Sequence, residues 1–259
     1  MWIVRRRLPE SPRWLALQGR DQEALSIVEQ IEGEVAKPHA IPSVTEDKLA
    51  AVNVAGKSSV GTLFSPAYWR TTLMLWLLWF LGMFGYYGLF AWLPSLLVKA
   101  GHSMVKSFLY VVIMQLAYIP NQIACAYGMD KYGRKRLLTA NLLLAGIATV
   151  LFGWALGLGA LAIGQVVFLG VVTSFFVSGV WGITYTYTPE LYPTGVRVTG
   201  TSMAATCSRV GSMLAPLVIG YALNFVGVTG AIAIVAGAFI LAGIVVAILG
   251  RETRGQSLQ

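Results

Sequence analysis

Charged residues are scarce in this sequence. Only 12% of its 259 residues are Asp, Glu, Lys or Arg, whereas soluble domains hold about a quarter. Hydrophobic residues make up 56% of the chain. This balance excludes an ordinary soluble domain and indicates a membrane protein. The net charge of +8 comes from basic residues in loops between apolar runs, which favours an anionic lipid leaflet over nucleic acid as the partner.

Cysteine and histidine are also rare. Cys125 and Cys207 both lie in apolar runs, and neither a disulfide framework nor a metal spacing can be built from them. His39 and His102 lie in separate loops, and no HExxH motif or nucleotide-binding G-x-x-x-x-G-K-[ST] loop is present. We therefore expect no cofactor, no metal, no ATP-driven reaction and no enzymatic activity.

The first part of the chain is polar. Residues 1–67 hold most of the acidic groups, and apolar positions within Ser11–Val35 suit short amphipathic helices broken near Gly19. Residues 36–62 have the composition of a linker. Met1–Val4 is too short for the apolar run of a secretory signal, and we expect it to be the inner end of a helix that begins upstream.

The character of the chain changes at Tyr68. A membrane helix needs about 20 mostly apolar residues, and six such runs are predicted, at approximately 71–98, 107–128, 137–157, 160–187, 199–225 and 229–249. Basic residues cluster before the first run and after the second, fourth and sixth. The positive-inside rule then predicts that both ends of this chain are cytoplasmic, which an even number of spans also requires.

Four motifs follow one another along the chain: Pro9-Glu10-Ser11-Pro12-Arg13-Trp14-Leu15, Asp130-Lys131-Tyr132-Gly133-Arg134-Lys135, Pro189-Glu190-Leu191-Tyr192-Pro193-Thr194 with Arg197 and Gly200, and Arg251-Glu252-Thr253-Arg254-Gly255. In order and position they resemble signatures of sugar-porter-like members of the major facilitator superfamily. The last departs from the family pattern, because Arg251 replaces a proline.

The resemblance implies an all-α membrane protein. Its six transmembrane helices would form the C-terminal half-bundle of a major facilitator superfamily fold, helices seven to twelve, over residues 68–259. Residues 1–67 would be the cytoplasmic linker that follows a missing sixth helix. The expected partners are then a small-molecule solute, the lipid bilayer and the N-terminal six-helix half of the same transporter. Without that half, the fragment is expected to be inactive alone.

A branch of the superfamily is also indicated. Phe84-Gly85-Tyr86-Tyr87-Gly88 with Trp92-Leu93-Pro94 is similar to the niacin and aromatic-acid transporter branch, which also resembles synaptic vesicle protein 2 and organic ion carriers. Hexose carriers have a Gln-Gln-rich pattern where this chain has Trp76-Leu77-Leu78-Trp79-Phe80, which counts against a sugar.

Several charged residues fall at the cytoplasmic ends of the predicted helices. Carboxylates and guanidiniums there can form bidentate pairs that close the inward mouth and break as the two halves rock. The predicted gating residues are Asp130, Arg134, Glu190 and Arg197, joined by Glu10 and Arg13 from the linker. Lys135 and Arg136 are expected only to set topology.

Arg209 is predicted to lie near the middle of the fifth span. A guanidinium at that depth costs at least about 2.5 kcal/mol, so it should face a cavity or a partner. The predicted spans offer no Asp or Glu. The partner would be a substrate carboxylate or an acid on the missing half, unless Arg209 instead extends to the inner surface.

Aromatic and amide side chains complete the predicted solute site. Tyr86 shares a helical face with Phe90, and Trp181 with Tyr185, each at i,i+4 spacing; such rings can stack on a planar ligand. With Arg209, the predicted substrate-binding residues are Tyr86, Tyr87, Gln115, Trp181 and Tyr185.

The predicted function is secondary active transport, by alternating access, of a small aromatic or carboxylated solute across the plasma membrane. The family resemblance implies that protons or sodium drive it. Two alternatives stay open: a sugar or organic-cation porter of the same superfamily, and a non-transporting receptor or pseudo-transporter.

Overall fold

The computed structural model describes residues 12, 15, 19–35, 60–99, 103–158 and 162–255. The chain divides into two compact units, Met1–Val54 and Ala55–Gln259.

The first unit contains helix α1, Asp21–Val35. Gly19, at φ +75°, breaks the chain just before it, and acidic Asp21 and Glu23 lie in the first turn, where the helix dipole favours negative charge. An exposed ion pair joins Arg20 to Glu23 at 2.6 Å. The predicted helix after Gly19 is therefore confirmed.

The described residues of the second unit form helices joined by short turns. It contains a short 3₁₀ helix and eight α-helices: the 3₁₀ helix Val60–Phe64, α2 Trp69–Phe90, α3 Leu93–Lys99, α4 Met104–Leu116, α5 Tyr118–Tyr132, α6 Arg134–Leu158, α7 Ile163–Glu190, α8 Thr194–Phe225 and α9 Gly227–Leu249.

Six stretches of this unit are long and apolar enough to cross a membrane: Trp69–Val98, Met104–Tyr132, Arg134–Gly157, Ile163–Glu190, Gly195–Phe225 and Gly227–Leu249. The six predicted spans are thus confirmed, with ends that differ by a few residues. The second span ends at Tyr132, just after Asp130, and the fourth ends at Glu190. Each of these carboxylates therefore belongs to the last turn of a helix rather than to a loop.

The spans pack in a defined order. Helix α2 packs on α8 and α9, α9 also packs on α6, and α7 packs on α6, α5 and α4. Close approach of α2 and α8 requires a glycine, because a Cβ at Gly211 would lie 2.4 Å from the carbonyl oxygen of Phe80. Further along both helices, Trp92 donates from Nε1 to the carbonyl of Pro216 at 3.1 Å. These contacts run in the same direction, so α2 and α8 are parallel.

Helix α8 exposes a long apolar face. Met213, Leu217, Tyr221 and Phe225 are between 68% and 73% exposed, and they repeat every four residues along one side of the helix. This face suits contact with hydrocarbon or with a second helical bundle.

Most cationic residues in the described part of this unit lie at one end of the bundle. Because the spans alternate in direction, the ends of α5 and α7 and the starts of α2, α6 and α8 share that end with the residues after α9. It carries Arg70, Lys131, Arg134, Lys135, Arg136, Arg197, Arg251 and Arg254. We call it the basic end.

Candidate functional site

Six aromatic side chains of α2 and α7 form a connected group, the aromatic cluster: Trp79, Tyr86, Tyr87, Phe90, Trp181 and Tyr185. Tyr86 is its hub. The Tyr86 ring centre lies 4.9 Å from that of Phe90, 5.4 Å from that of Tyr87 and 5.9 Å from that of Trp181. These separations are typical of favourable aromatic pairs, so α2 and α7 hold the rings in fixed relative positions.

Trp79 contacts both rings that α7 contributes to the cluster. Its ring centre lies 5.1 Å from that of Tyr185, edge to face, and 6.1 Å from that of Trp181. Trp79 is 2% exposed, and its Nε1 donates to Oγ1 of Thr188 at 3.0 Å. Its one polar atom is therefore satisfied inside the bundle.

Two rings of the cluster are accessible. Tyr87 is 39% exposed and Tyr185 60% exposed, whereas Trp181 is buried. Gln115 of α4 reaches the cluster from the second span, and its Nε2 donates to the hydroxyl of Tyr86 at 3.5 Å. The cluster thus offers accessible aromatic rings together with phenol and amide groups. This combination can stack a planar ring and hydrogen-bond its polar substituents.

Helix α5 is held against α7 by amide side chains. Asn121 donates to the carbonyl of Phe175, and Gln122 Nε2 donates to the carbonyl of Ser178 at 3.2 Å. Gly179 leaves the room for these groups, since a Cβ there would lie 2.5 Å from Oδ1 of Asn141 and 2.7 Å from Nδ2 of Asn121. These contacts fix the part of α7 that carries Trp181.

Arg209 lies at the middle of the fifth span, Gly195–Phe225. Its side chain is exposed, on the same face of α8 as Met213 and Leu217. It makes no ion pair with any residue that the structure describes. Gly211, two residues further on, touches Phe80 of α2. Because two residues span about 3 Å of helix, Arg209 lies within about one turn of the level of Trp79.

At the basic end, charged and hydroxyl groups from four elements meet. We call this group the ionic cluster: Asp130, Arg134, Glu190, Glu252 and Thr253. Arg134 Nε lies 3.2 Å from Oε2 of Glu190, and its Nη1 lies 3.3 Å from Oδ1 of Asp130. Thr253 Oγ1 donates to Oε2 of Glu190 at 2.5 Å. The cluster thereby ties α5, α6, α7 and the segment after α9 together.

Glu252 holds the start of α6. Its Oε1 accepts from the backbone nitrogens of Arg134, Thr253 and Arg254 at 2.8, 3.1 and 3.3 Å. Burial acts to raise the pKa of the Glu252 carboxyl, but the backbone donors outweigh it and lower that pKa below its usual value. Gly133 makes room, with φ +91° and a hypothetical Cβ 2.4 Å from Oε2 of Glu252.

The other predicted gating residues are Arg197, Glu10 and Arg13. Arg197 Nε donates to the carbonyl of Tyr192 at 3.2 Å, beside the link between α7 and α8. Glu10 and Arg13 lie outside the described residues. No group of three or more His, Cys, Asp or Glu side chains in the described part of the chain could hold a metal ion.

Five of the predicted solute-site residues come together: Tyr86, Tyr87, Gln115, Trp181 and Tyr185. Arg209 lies on a different helix. Sequence reasoning missed Trp79, Glu252 and Thr253. Glu252 and Thr253 stood within a quoted motif, but the motif alone did not say which backbone groups Glu252 would meet. Trp79 could have been found from its spacing to Tyr86, which is seven residues and therefore on the same face of the helix.

Comparisons with known proteins agree with the fold and the motifs. The model of the family described as sugar (and other) transporter matches residues 1–259. The niacin transporter NiaP of Acinetobacter baylyi is 36% identical over 269 residues, covering 100% of this chain and 57% of that protein. The synaptic vesicle 2-related protein of Xenopus laevis is 27% identical, over 97% of this chain and 48% of its own length.

A solved structure shares the fold. The crystal structure of a double-tryptophan mutant of XylE matches 99% of this chain and 54% of its own chain, with a TM-score of 0.72 at 17% identity. The chain thus spans about half the length of the relatives it matches. It is a multi-pass membrane protein, and it belongs to the sugar (and other) transporter family of the major facilitator superfamily.

Proposed function

We propose that this chain is the C-terminal half of a secondary active transporter that carries a small organic solute with an aromatic ring and a carboxylate. The observation that carries the proposal is the mid-span guanidinium of Arg209, which lies within about one turn of the level of Trp79 and makes no ion pair with a described residue. A charge at that depth is costly unless it faces a cavity or a partner. A carboxylate matches the planar fork of donors that arginine offers.

In this proposal the aromatic cluster binds the ring of the solute, whereas Arg209 binds its carboxylate. The exposed rings of the cluster suit a planar solute, and the phenol of Tyr87 and the amide of Gln115 suit polar groups on that ring. Two relatives support this class of solute by name: the Acinetobacter niacin transporter and the 4-hydroxybenzoate transporter PcaK of Pseudomonas putida, which is 28% identical over 80% of this chain. Both names describe an aromatic ring that bears a carboxylate.

The mechanism we propose is alternating access in the plasma membrane. Solute sites of this class lie near the bilayer midplane between two bundles, which rock around them. The exposed apolar face of α8 suits contact with an N-terminal six-helix half. The basic end would be cytoplasmic, and the ionic cluster would close the mouth at that end. Coupling to protons or sodium would use an acid outside the spans described.

The test uses two preparations, which are this chain in lipid nanodiscs and a chimaera in which it replaces the matching segment of the Acinetobacter niacin transporter. Radiolabelled nicotinate binding is measured on both, and vesicle uptake on the chimaera. We expect saturable uptake that benzoate inhibits, whereas glucose and tetraethylammonium do not. Inhibition by glucose or tetraethylammonium alone would instead indicate a sugar or organic-cation porter. Nicotinate binding without uptake would indicate a receptor.

A further inference from the structure

The last turns of α7 contact three separate parts of the bundle. Tyr185 contacts Trp79 in the aromatic cluster. Tyr187 donates from its hydroxyl to the carbonyl of Arg251, in the segment after α9. Glu190 accepts from Arg134 and Thr253 in the ionic cluster. Six residues of one helix therefore connect the proposed solute site to the proposed gate. We call Tyr185–Glu190 the end turn.

The end turn is also the part of α7 that can bend. Pro189 has no backbone N–H, so the carbonyl of Tyr185, four residues earlier, lacks its helical hydrogen bond. Thr188 donates its hydroxyl to the carbonyl of Thr184 at 2.7 Å, a side-chain bond that tends to bend helices. Proline and such local bonds are the usual causes of helix kinks. The position of the end turn is therefore set by its side-chain contacts as well as by the helix ladder.

Trp79 holds the end turn in place through a hydrogen bond to Thr188. The Thr188 hydroxyl, fully buried, gives its proton to Thr184 and accepts the Nε1 proton of Trp79 at 3.0 Å. Every hydrogen-bonding group of the pair is then satisfied, in surroundings that offer no water to replace a lost bond. The same indole packs on Trp181 and Tyr185. One residue of α2 therefore touches both the rings of the proposed solute site and the turn that bears Glu190.

We propose that Trp79 is a positioning residue that couples the aromatic cluster to the ionic cluster through its hydrogen bond to Thr188. The inference rests on the proposed function in taking these clusters as solute site and gate. When the Arg134–Glu190 pair breaks, the end turn shifts, and Trp79 passes the shift to Trp181. By the reciprocity of coupled sites, a solute that moves these rings would shift the stability of the ionic cluster.

The coupling can be measured without any solute. The chain is labelled with 5-fluorotryptophan in nanodiscs, and the Trp181 resonance is assigned by its loss in Trp181→Phe. We expect Glu190→Gln to move this resonance by more than its linewidth. Glu252→Gln is the matched control, because it removes a carboxylate of the same cluster that does not lie on α7. It should move the resonance by less than half as much.

The decisive comparison repeats Glu190→Gln in backgrounds that lack the Trp79–Thr188 bond. Trp79→Phe keeps an aromatic ring and removes the N–H, whereas Thr188→Val removes the acceptor from the other side. In both backgrounds we expect the Trp181 shift to disappear, and in Thr188→Ser, which keeps the hydroxyl, we expect it to remain. If Trp79 only stabilised the fold, Trp79→Phe would change stability, but Glu190→Gln would still move the Trp181 resonance in that background.

Two outcomes overturn the inference. One is a Trp181 resonance that does not respond to Glu190→Gln in the otherwise unchanged chain. The other is a response that persists in both Trp79→Phe and Thr188→Val. Failure to bind or transport nicotinate would contradict the proposed function only, because the resonance is read without solute.

Discussion

Arg134 and Glu190 form a half-enclosed ion pair between the start of α6 and the end of α7, with Nε 3.2 Å from Oε2 and side chains 19% and 18% exposed. Each group has a further protein partner, because Arg134 also contacts Asp130 and Glu190 also accepts a hydrogen bond from Thr253. Such a pair differs from a surface salt bridge, because removal of one partner strands a partly desolvated charge.

Glu190→Gln is therefore expected to lower the free energy of unfolding by about 1.5–3 kcal/mol, the usual range for a hydrogen bond to a charged group. The measurement is loss of helical circular dichroism in a denaturant titration. Arg20→Ala is the matched control, because the Arg20–Glu23 pair is exposed at 50% and 59%, and its loss should cost at most about 1 kcal/mol. Equal effects of the two substitutions would contradict this account.

Glu252 should make stability depend on pH. Because its folded-state pKa is lowered, the carboxylate stabilises the fold fully above the pKa of the unfolded chain, about 4.3. That contribution is lost as pH falls through the lower folded-state pKa. We expect Glu252→Gln to lower the free energy of unfolding at pH 7 by about 0.3–1 kcal/mol, as for a carboxylate at a helix N-terminus. A deficit that is the same at pH 7 and pH 3 would exclude this role.

The sequence predicted the six spans because long apolar runs are a one-dimensional signal. It also grouped Tyr86 with Phe90, because positions four apart share a face of a helix. The roles of Trp79 and Glu252 needed tertiary structure, since their partners Thr188 and Arg134 lie 109 and 118 residues away in sequence. A sequence motif of a few residues cannot predict a hydrogen bond between positions more than 100 residues apart.

The packing of α2 on α8 depends on Gly211. A Cβ in Gly211→Ala would lie 2.4 Å from the carbonyl oxygen of Phe80, and a backbone atom cannot rotate away as a side chain can. We expect the helices to separate and the free energy of unfolding to fall by about 1–3 kcal/mol. Gly237→Ala is the control, because nothing lies within 4 Å of its Cβ position. A Gly211→Ala protein as stable as Gly237→Ala would contradict the close approach.

The orientation of the bundle is open to direct measurement. In a Cys207→Ser background, a membrane-impermeant maleimide is applied to intact cells that express Arg136→Cys or Lys106→Cys. Both positions are exposed. Lys106 lies at the start of the second span and Arg136 at the start of the third, so they are at opposite ends of the bundle. Because basic loops stay on the cytoplasmic side, we expect labelling of Lys106→Cys and protection of Arg136→Cys until the cells are opened. The reverse pattern would refute the cytoplasmic assignment of the basic end.

The last prediction concerns Arg209 and is made for the chimaera. Lysine keeps the charge but not the fork of donors that pairs with both oxygens of a carboxylate. We expect Arg209→Lys to insert normally and to weaken nicotinate uptake. Loss of a charge-assisted bond of about 1.5–3 kcal/mol corresponds to a loss of affinity of about ten- to a hundred-fold. Arg254→Lys, at the exposed basic end, is the matched control and should leave uptake unchanged.

A neutral analogue separates binding from structure. Nicotinamide has the same ring as nicotinate but no carboxylate, so it loses no ion pair when the guanidinium is removed. Arg209→Gln should therefore impair the interaction with nicotinate far more than that with nicotinamide, measured as competition against a labelled solute in protein of normal membrane content. Equal impairment of the two would mean that Arg209 supports the fold or the gate, because only a contact with the carboxylate can distinguish these two solutes.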